Sequence, residues 1–376
     1  MRWATSVLFF CVASLLALGM VMLFSASTGQ PEANYLVMQP IWCAIGLIAC
    51  LSVAAADYRW LKRHGWLNWV FFGIALALLV LVLVPGIRIN VNGAYRWLRV
   101  GGFSLQPSEL AKIALIAVLA WYGDRFQRQM PTFWKGLVFP GFIIAPVLAL
   151  VFLEPDVGTT VLLAAVCGVM LFVAGTRMRY LIPPVVAGVT GLVVFILHNP
   201  MRLRRVLAFL YPEQNREEVG YQTYQAMVAI GSGGLTGVGL GDGRQKLGFI
   251  PEHHTDFIFS VIGEELGLTA TLLVVTAFVA MVACGIYIAL KARDNFGMLL
   301  ASGVSVLMGL QAAINIGVVT GSLPNKGLSL PFISYGGSNL VVMLACVGLL
   351  INVARHAGDE PIPRGVFDPS PLPQTS

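Results

Sequence analysis

"GLTATLLVVTAFVAMVACGIYIAL", Gly267–Leu290, holds no charged residue. As a helix rising about 1.5 Å per residue, such a run is long enough to cross the roughly 30 Å hydrocarbon core of a bilayer. Directly before it, "PEHHTDFIFSVIGEELG", Pro251–Gly267, sets Asp256, Glu264 and Glu265 at the edge of the apolar stretch. Acids at the head of a membrane helix are costly, so their presence asks for a function or a partner.

The rest of the chain agrees with a membrane reading. Of 376 residues, 57% are hydrophobic and 11% charged, and the mean hydropathy is +0.80. Soluble globular proteins carry about a quarter charged residues. Ten apolar runs predict an all-α, polytopic membrane protein with about ten transmembrane helices. They lie at Ala4–Phe24, Tyr35–Ala55, Trp66–Val84, Pro107–Tyr122, Leu137–Leu153, Val157–Ala174, Tyr180–Leu197, Phe257–Leu290, Gly297–Gly317 and Ser334–Ala354. The first run is longer than the core of a signal peptide and no small-residue cleavage site ends it, which predicts a retained span. A long extracytoplasmic loop, His198–Thr255, separates spans 7 and 8, and a proline-rich tail, Ala357–Ser376, is expected to be a disordered cytoplasmic end.

Lys and Arg concentrate in the Asp57–Gly65, Gly123–Gly136, Gly175–Arg179 and Lys291–Asn295 loops. By the positive-inside bias these are cytoplasmic, and so are both termini. The same bias accounts for most of the net charge of +6, so no nucleic-acid partner is implied. Two outer segments depart from it: Gly86–Gln106 carries Arg88, Arg96 and Arg99 without an acid, and "MRLRR", Met201–Arg205, opens the long loop. Such cations suit a bound anion, or lipid phosphates. The six cysteines fall inside predicted spans without CxxC spacing, and the adjacent His253 and His254 form no metal pattern.

Three further features involve polar or irregular sequence at membrane depth. Glu109 and Lys112, in "QPSELAKIAL", are three apart and share a helical face. They either neutralise each other to let the helix insert or organise a polar cavity opening outward. "GSGGLTGVGLGDG", Gly231–Gly243, has seven glycines but no preceding strand and no GxGxxG register, so flexible or tightly turned backbone at the outer membrane face is expected rather than a nucleotide fold. "GSLPNKGLSLPFISYGGSN", Gly321–Asn339, mixes prolines and glycines around the single charge Lys326. It reads as a substrate-facing re-entrant loop or a simple turn.

Taken in order, "NGAYRWLRVGGFSLQPSELAK", "EPDVGTT", "GYQTYQAMVAIGSGGLTGVGLG", "FIPEHHTDFIFSVIGEELG" and "LPNKGLSLPFISYGGS" resemble the SEDS family of shape, elongation, division and sporulation proteins over nearly the whole chain. The last motif is more similar to the FtsW and SpoVE branch than to the RodA branch; Asn325 and Asn339 are small departures from the usual pattern. The resemblance implies a peptidoglycan glycosyltransferase that polymerises lipid II on the outer face of the bacterial cytoplasmic membrane. It places the essential acid of "HTDF" at Asp256. It also implies a class B penicillin-binding protein transpeptidase as partner, alongside other divisome or elongasome membrane proteins.

The chemistry is consistent with those residues. A sugar hydroxyl must lose its proton to attack an anomeric carbon, and the departing diphosphate needs cations. Asp256 is the expected general base; Arg96, Glu109, Lys112 and Lys326 are the expected substrate-binding residues, the Glu109–Lys112 pair by shaping the cavity. Without the resemblance, Asp256 could equally be a carboxylate favouring a helix N-terminus. Of Glu264 and Glu265, one is expected to face protein and the other to reach the cavity. No cofactor is required, although a divalent cation (Mg or Mn) is compatible with a diphosphate leaving group. A lipid II transporter and a noncatalytic division scaffold are the rival readings.

Overall fold

The computed structural model describes residues 1–27, 35–85, 88–91, 94–100, 103–211, 220–244, 255–325 and 327–357. Lipid offers no hydrogen-bond partner to the backbone, so apolar segments satisfy it internally as helices. These are α1 (Arg2–Ser27), α2 (Tyr35–Ala55), α3 (Tyr58–Arg63), α4 (Gly65–Leu83), α5 (Pro107–Arg125), α6 (Phe139–Leu153), α7 (Val157–Val173), α8 (Met178–Leu197), α9 (Pro200–Leu210), α10 (Tyr221–Gly233), α11 (Ile258–Leu290), α12 (Asn295–Val319) and α13 (Gly337–His356). A π-helical turn at Trp134–Val138 leads into α6.

Each of the ten stretches expected to span contains a helix, the eighth beginning at Ile258 rather than Phe257 and the tenth at Gly337 rather than Ser334. Among the described residues, eight helices are long and apolar enough to cross a membrane. The other two expected spans differ from them for separate reasons: α7 has only 17 residues, and α5 carries Glu109, Lys112 and Asp124 within the bundle. Helices α5, α12 and α13 form the centre, with α13 against α2, α12 against α5, α7 and α11, and α1 against α11. Close approach is built into the α2–α13 contact. A Cβ on Gly348 would stand 2.5 Å from the Cys50 carbonyl oxygen, so only glycine allows that spacing. Helix α8 is peripheral, with Leu181 its one buried residue.

Two parts of the fold depart from the expectation. The Gly86–Gln106 segment contains an antiparallel sheet, β1 (Arg88–Val91), β2 (Ala94–Val100) and β3 (Phe103–Leu105), in the order β1-β2-β3. Alternation along β2 sends Leu98 into the protein while Arg99 is exposed; Arg96, two residues from Leu98, shares its face. The long loop 198–255 contains α9 and α10. The tail beyond Ala357 lies outside the described residues.

Helix α11 is broken at Gly267, whose φ of 74° and ψ of −171° suit glycine alone. The break frees the carbonyls of Glu264 and Glu265, and the glycine-rich loop supplies donors: Val238 N–H to Glu264 O (3.0 Å) and Gly239 N–H to Glu265 O (3.1 Å). In return Leu268 N–H donates to Gly234 O (2.9 Å). The seven-glycine run is therefore the cap of a broken membrane helix. A Cβ on Gly267 would lie 2.4 Å from Gly237 N. Gly267→Ala is expected to cost at least ~1–3 kcal/mol from its backbone conformation alone, read as a lower melting temperature in detergent.

Candidate active site

The site lies where α5, α7, α11 and α13 begin. Asp256 occupies the turn that opens α11 and is half-buried. Its main-chain carbonyl accepts from Asn315 Nδ2 on α12 at 2.8 Å, and the same amide nitrogen donates to Leu328 O at 2.6 Å. Thr255 O accepts from Ser334 Oγ. Gly327 faces the carboxylate: a Cβ there would be 2.6 Å from Asp256 Oδ2. The acid is thus held against the backbone of the last loop.

That loop, residues 327–336, enters the bundle, as the re-entrant reading expected. Leu330, Phe332, Ile333 and Ser334 are buried, and Gly19 of α1 lets the Phe332 carbonyl approach to within 2.9 Å of a Cβ position. Phe332 has φ of 67°, a left-handed conformation costing ~1–2 kcal/mol that surrounding contacts must hold in place. Ser334 Oγ accepts from Leu330 N–H at 2.8 Å, and Gln311 Nε2 donates to Ser329 O at 3.0 Å. Irregular backbone at this depth is tolerated because α12 side chains satisfy it.

Beneath the loop, Gln311 leads to the predicted pair. Lys112 Nζ donates to Glu109 Oε1 at 2.7 Å and to Gln311 Oε1 at 2.9 Å, while Asn339 Nδ2 donates to Glu109 Oε2 at 3.2 Å. Lys112 and Gln311 are 0% exposed and Glu109 4%. The sequence correctly paired Glu109 with Lys112, but the cavity expected around them is filled by protein. A side chain without exposed surface has no direct contact to offer a substrate; the pair fastens α5 to α12 and α13 beneath the loop. Gln311 and Asn315 were missed. Their signal was an amide pair four residues apart in an apolar span, one turn of helix.

Arg96 reaches from β2 to the α6–α7 turn, with Nη1 3.3 Å from Asp156 Oδ2 and Nη2 donating to Pro155 O at 3.2 Å. Asp156 caps α7 by accepting from Thr159 N–H (3.0 Å) and Thr159 Oγ1 (2.9 Å). The first turn of α7 then meets the loop, since a Cβ on Gly158 would sit 3.4 Å from Leu328 Cγ. The start of α7, which carries the Arg96 partner Asp156, and the turn of Asp256 therefore both meet the loop, the first at Leu328 and the second at Gly327. Lys326 lies outside the described residues. Arg205, from the "MRLRR" segment, borders a cleft with Thr223, Leu323 and Asn325 at the start of the same loop.

Glu264 and Glu265 both face protein, a correction to the expectation that one reaches a cavity. Glu264 Oε1 accepts from Arg244 N–H at 2.8 Å, and Glu265 accepts from Ser25 Oγ (2.7 and 2.8 Å) and Gly241 N–H (3.0 Å). They clamp the glycine-rich loop and tie it to α1, because the broken helix turns both carboxylates toward those backbone donors. Ser25→Ala is expected to cost ~1.5–3 kcal/mol, the range for hydrogen bonds to charged groups. Faster proteolytic cleavage within 234–244 would report it.

Among the described residues no three His, Cys, Asp or Glu side chains converge as a metal set, and the carboxylate of Asp156 faces Arg96. These residues do not furnish a protein cage for Mg or Mn.

A model of the FTSW_RODA_SPOVE family, described as cell cycle protein, matches residues 5–359. The chain belongs to this family. It is 42% identical to a probable peptidoglycan glycosyltransferase FtsW of Trichlorobacter lovleyi over 93% of this chain and 92% of that one. It is 38% identical to stage V sporulation protein E of Bacillus subtilis, over 91% of this chain and 94% of that one. Among solved structures, a chain from a study of polymerization and crosslinking by a peptidoglycan synthase complex superposes with a TM-score of 0.79 at 30% identity, covering 94% and 98%. The rod shape determining protein RodA of Thermus thermophilus gives 0.70 at 30% identity, covering 94% and 97%. The family and the eight apolar helices make this a multi-pass membrane protein.

Proposed function

We propose that this FTSW_RODA_SPOVE family member is a peptidoglycan glycosyltransferase that polymerises lipid II at the outer face of the cytoplasmic membrane, in septal division or the related elongation and sporulation roles. The FtsW relatives' names support the reaction. The observation that carries the site is the Asp256 carboxylate held against Gly327 of the re-entrant loop. Both reactants are lipid-anchored, so a base at the head of a membrane helix meets them at the interface.

Asp256 takes the proton from the acceptor sugar's hydroxyl as its oxygen attacks the anomeric carbon of the second lipid-linked sugar. The new C–O bond forms as the bond to the diphosphate breaks, and that bond's electron pair leaves with the diphosphate. A single direct displacement inverts the anomeric centre. Arg96, with its side chain 25% exposed, and Lys326 offer positive charge to the leaving group. Glu109, Lys112 and Gln311 hold the floor on which the loop rests. The positive-inside bias supports cytoplasmic termini and an outward-facing Asp256. The solved relative from a synthase complex supports a class B penicillin-binding protein transpeptidase as partner.

Incubating the purified chain and such a transpeptidase with lipid II should yield glycan strands on a gel. Lipid movement across vesicles without strand formation would transfer the reading to a transporter. The Glu109–Lys112–Gln311 floor disfavours that alternative, because its three polar side chains are buried and bonded to one another.

A further inference from the structure

Glu154 ends α6 as its C-cap and is 0% exposed, and neither carboxyl oxygen has a hydrogen-bond partner. Two residues on, Asp156 is fully used by Thr159 and Arg96. Between them Pro155 has φ of 33°, far from proline's usual value near −65°. Such a conformation persists only where its surroundings over-determine it. The strained turn therefore presents two acids with unlike fates: one paired and one alone.

Arg96, held by the next two residues of this turn, also has an unpartnered atom. Its two terminal nitrogens serve Asp156 and Pro155, while its buried Nε has no partner. Among the described residues, Asp156, the N-cap of α7, and Arg96 from β2 are the charged groups acting on Glu154. Burial pushes the Glu154 carboxyl up to about 8, reinforced by Asp156 and opposed by Arg96. At neutral pH it keeps its proton and makes no claim on the guanidinium.

We infer that Glu154 is a positioning residue for Arg96 and works in its neutral form. With its proton, it leaves the guanidinium on Asp156 and Pro155, its side chain 25% exposed, so that its outward N–H groups can meet an anionic ligand. Without it, the carboxylate takes the free Nε and draws the guanidinium inward. The ligand class is a diphosphate, an assignment that rests on the proposed transferase reading.

Two measurements test this. Strand formation from lipid II with the transpeptidase partner should fall about tenfold between pH 7 and pH 9 in the native chain, as one group near 8 ionises. In Glu154→Gln the ratio of those two rates should stay near one, and Glu154→Leu, which also cannot ionise, should behave alike. Binding of inorganic diphosphate by calorimetry, which needs no turnover, should show the same contrast, and Arg96→Gln should abolish the Glu154-dependent part. A Glu154→Gln profile that falls as the native one does, in either measurement, overturns the inference. A Glu154-dependent diphosphate profile in a chain that makes no strands would support the inference and count against the transferase.

Discussion

Asp256→Asn is expected to lower the rate of strand formation by roughly 10²–10⁴-fold, the usual contribution of a general base. The substitution keeps the shape of the side chain. The bond that locates it, from Asn315 to the main-chain carbonyl of residue 256, is untouched. What disappears is the ability to accept the acceptor hydroxyl's proton. Initial rates with lipid II, together with an unchanged elution profile and melting temperature, separate lost chemistry from lost fold. A variant within tenfold of the native rate would return Asp256 to the role of a helix-start carboxylate, worth only ~0.3–1 kcal/mol. Asp256→Glu should restore the native rate only in part, because an added methylene moves the carboxylate off its place against Gly327.

Lys112→Met is expected to destabilise the protein by ~3–5 kcal/mol, the cost of stranding one member of a buried ion pair. Methionine fills nearly the same space, so the loss isolates charge. It leaves the Glu109 carboxylate, 4% exposed, with the Asn339 amide but without its cation. It also strips a donor from Gln311, which holds the Ser329 carbonyl of the re-entrant loop. Pairing it with Glu109→Gln should recover much of the stability, since no buried charge then remains, and the difference measures the coupling. Melting temperature in detergent and the amount of protein inserted in membranes report both. Equal stability of the single variant and the native chain would mean that Lys112 is not charged against Glu109.

Residues whose partners are close in sequence were legible, and residues with distant partners were not. Glu109 and Lys112 announce each other because three positions is one helical turn. Gln311 could not announce Lys112, which lies 199 positions away. The sheet at Arg88–Leu105 was not legible, although "NVNGAYRWLRVGGF" sets Gly93 and the pair Gly101–Gly102 on either side of a strand-like run. The charge in that segment commanded the reading instead, and a three-residue strand such as β3 has too few positions to show a period. Glu264 and Glu265 were recognised as misplaced in an apolar run, yet their purpose depended on a break at Gly267 that lets a loop's N–H groups reach them.

Composition and the length of the apolar runs were enough to determine a helical membrane protein, because a backbone in lipid has almost no other way to satisfy its hydrogen bonds. The order of the short motifs was enough to point to the family and to Asp256. Only the tertiary structure decided which polar groups meet: Asn315 joining the acid's turn to the re-entrant loop, Arg96 on Asp156 rather than standing free, Glu154 alone beside them. The reason is physical. Burial of a helix depends on local hydropathy, whereas a buried polar atom is defined by its partner, and that partner comes from whichever helix the fold brings alongside.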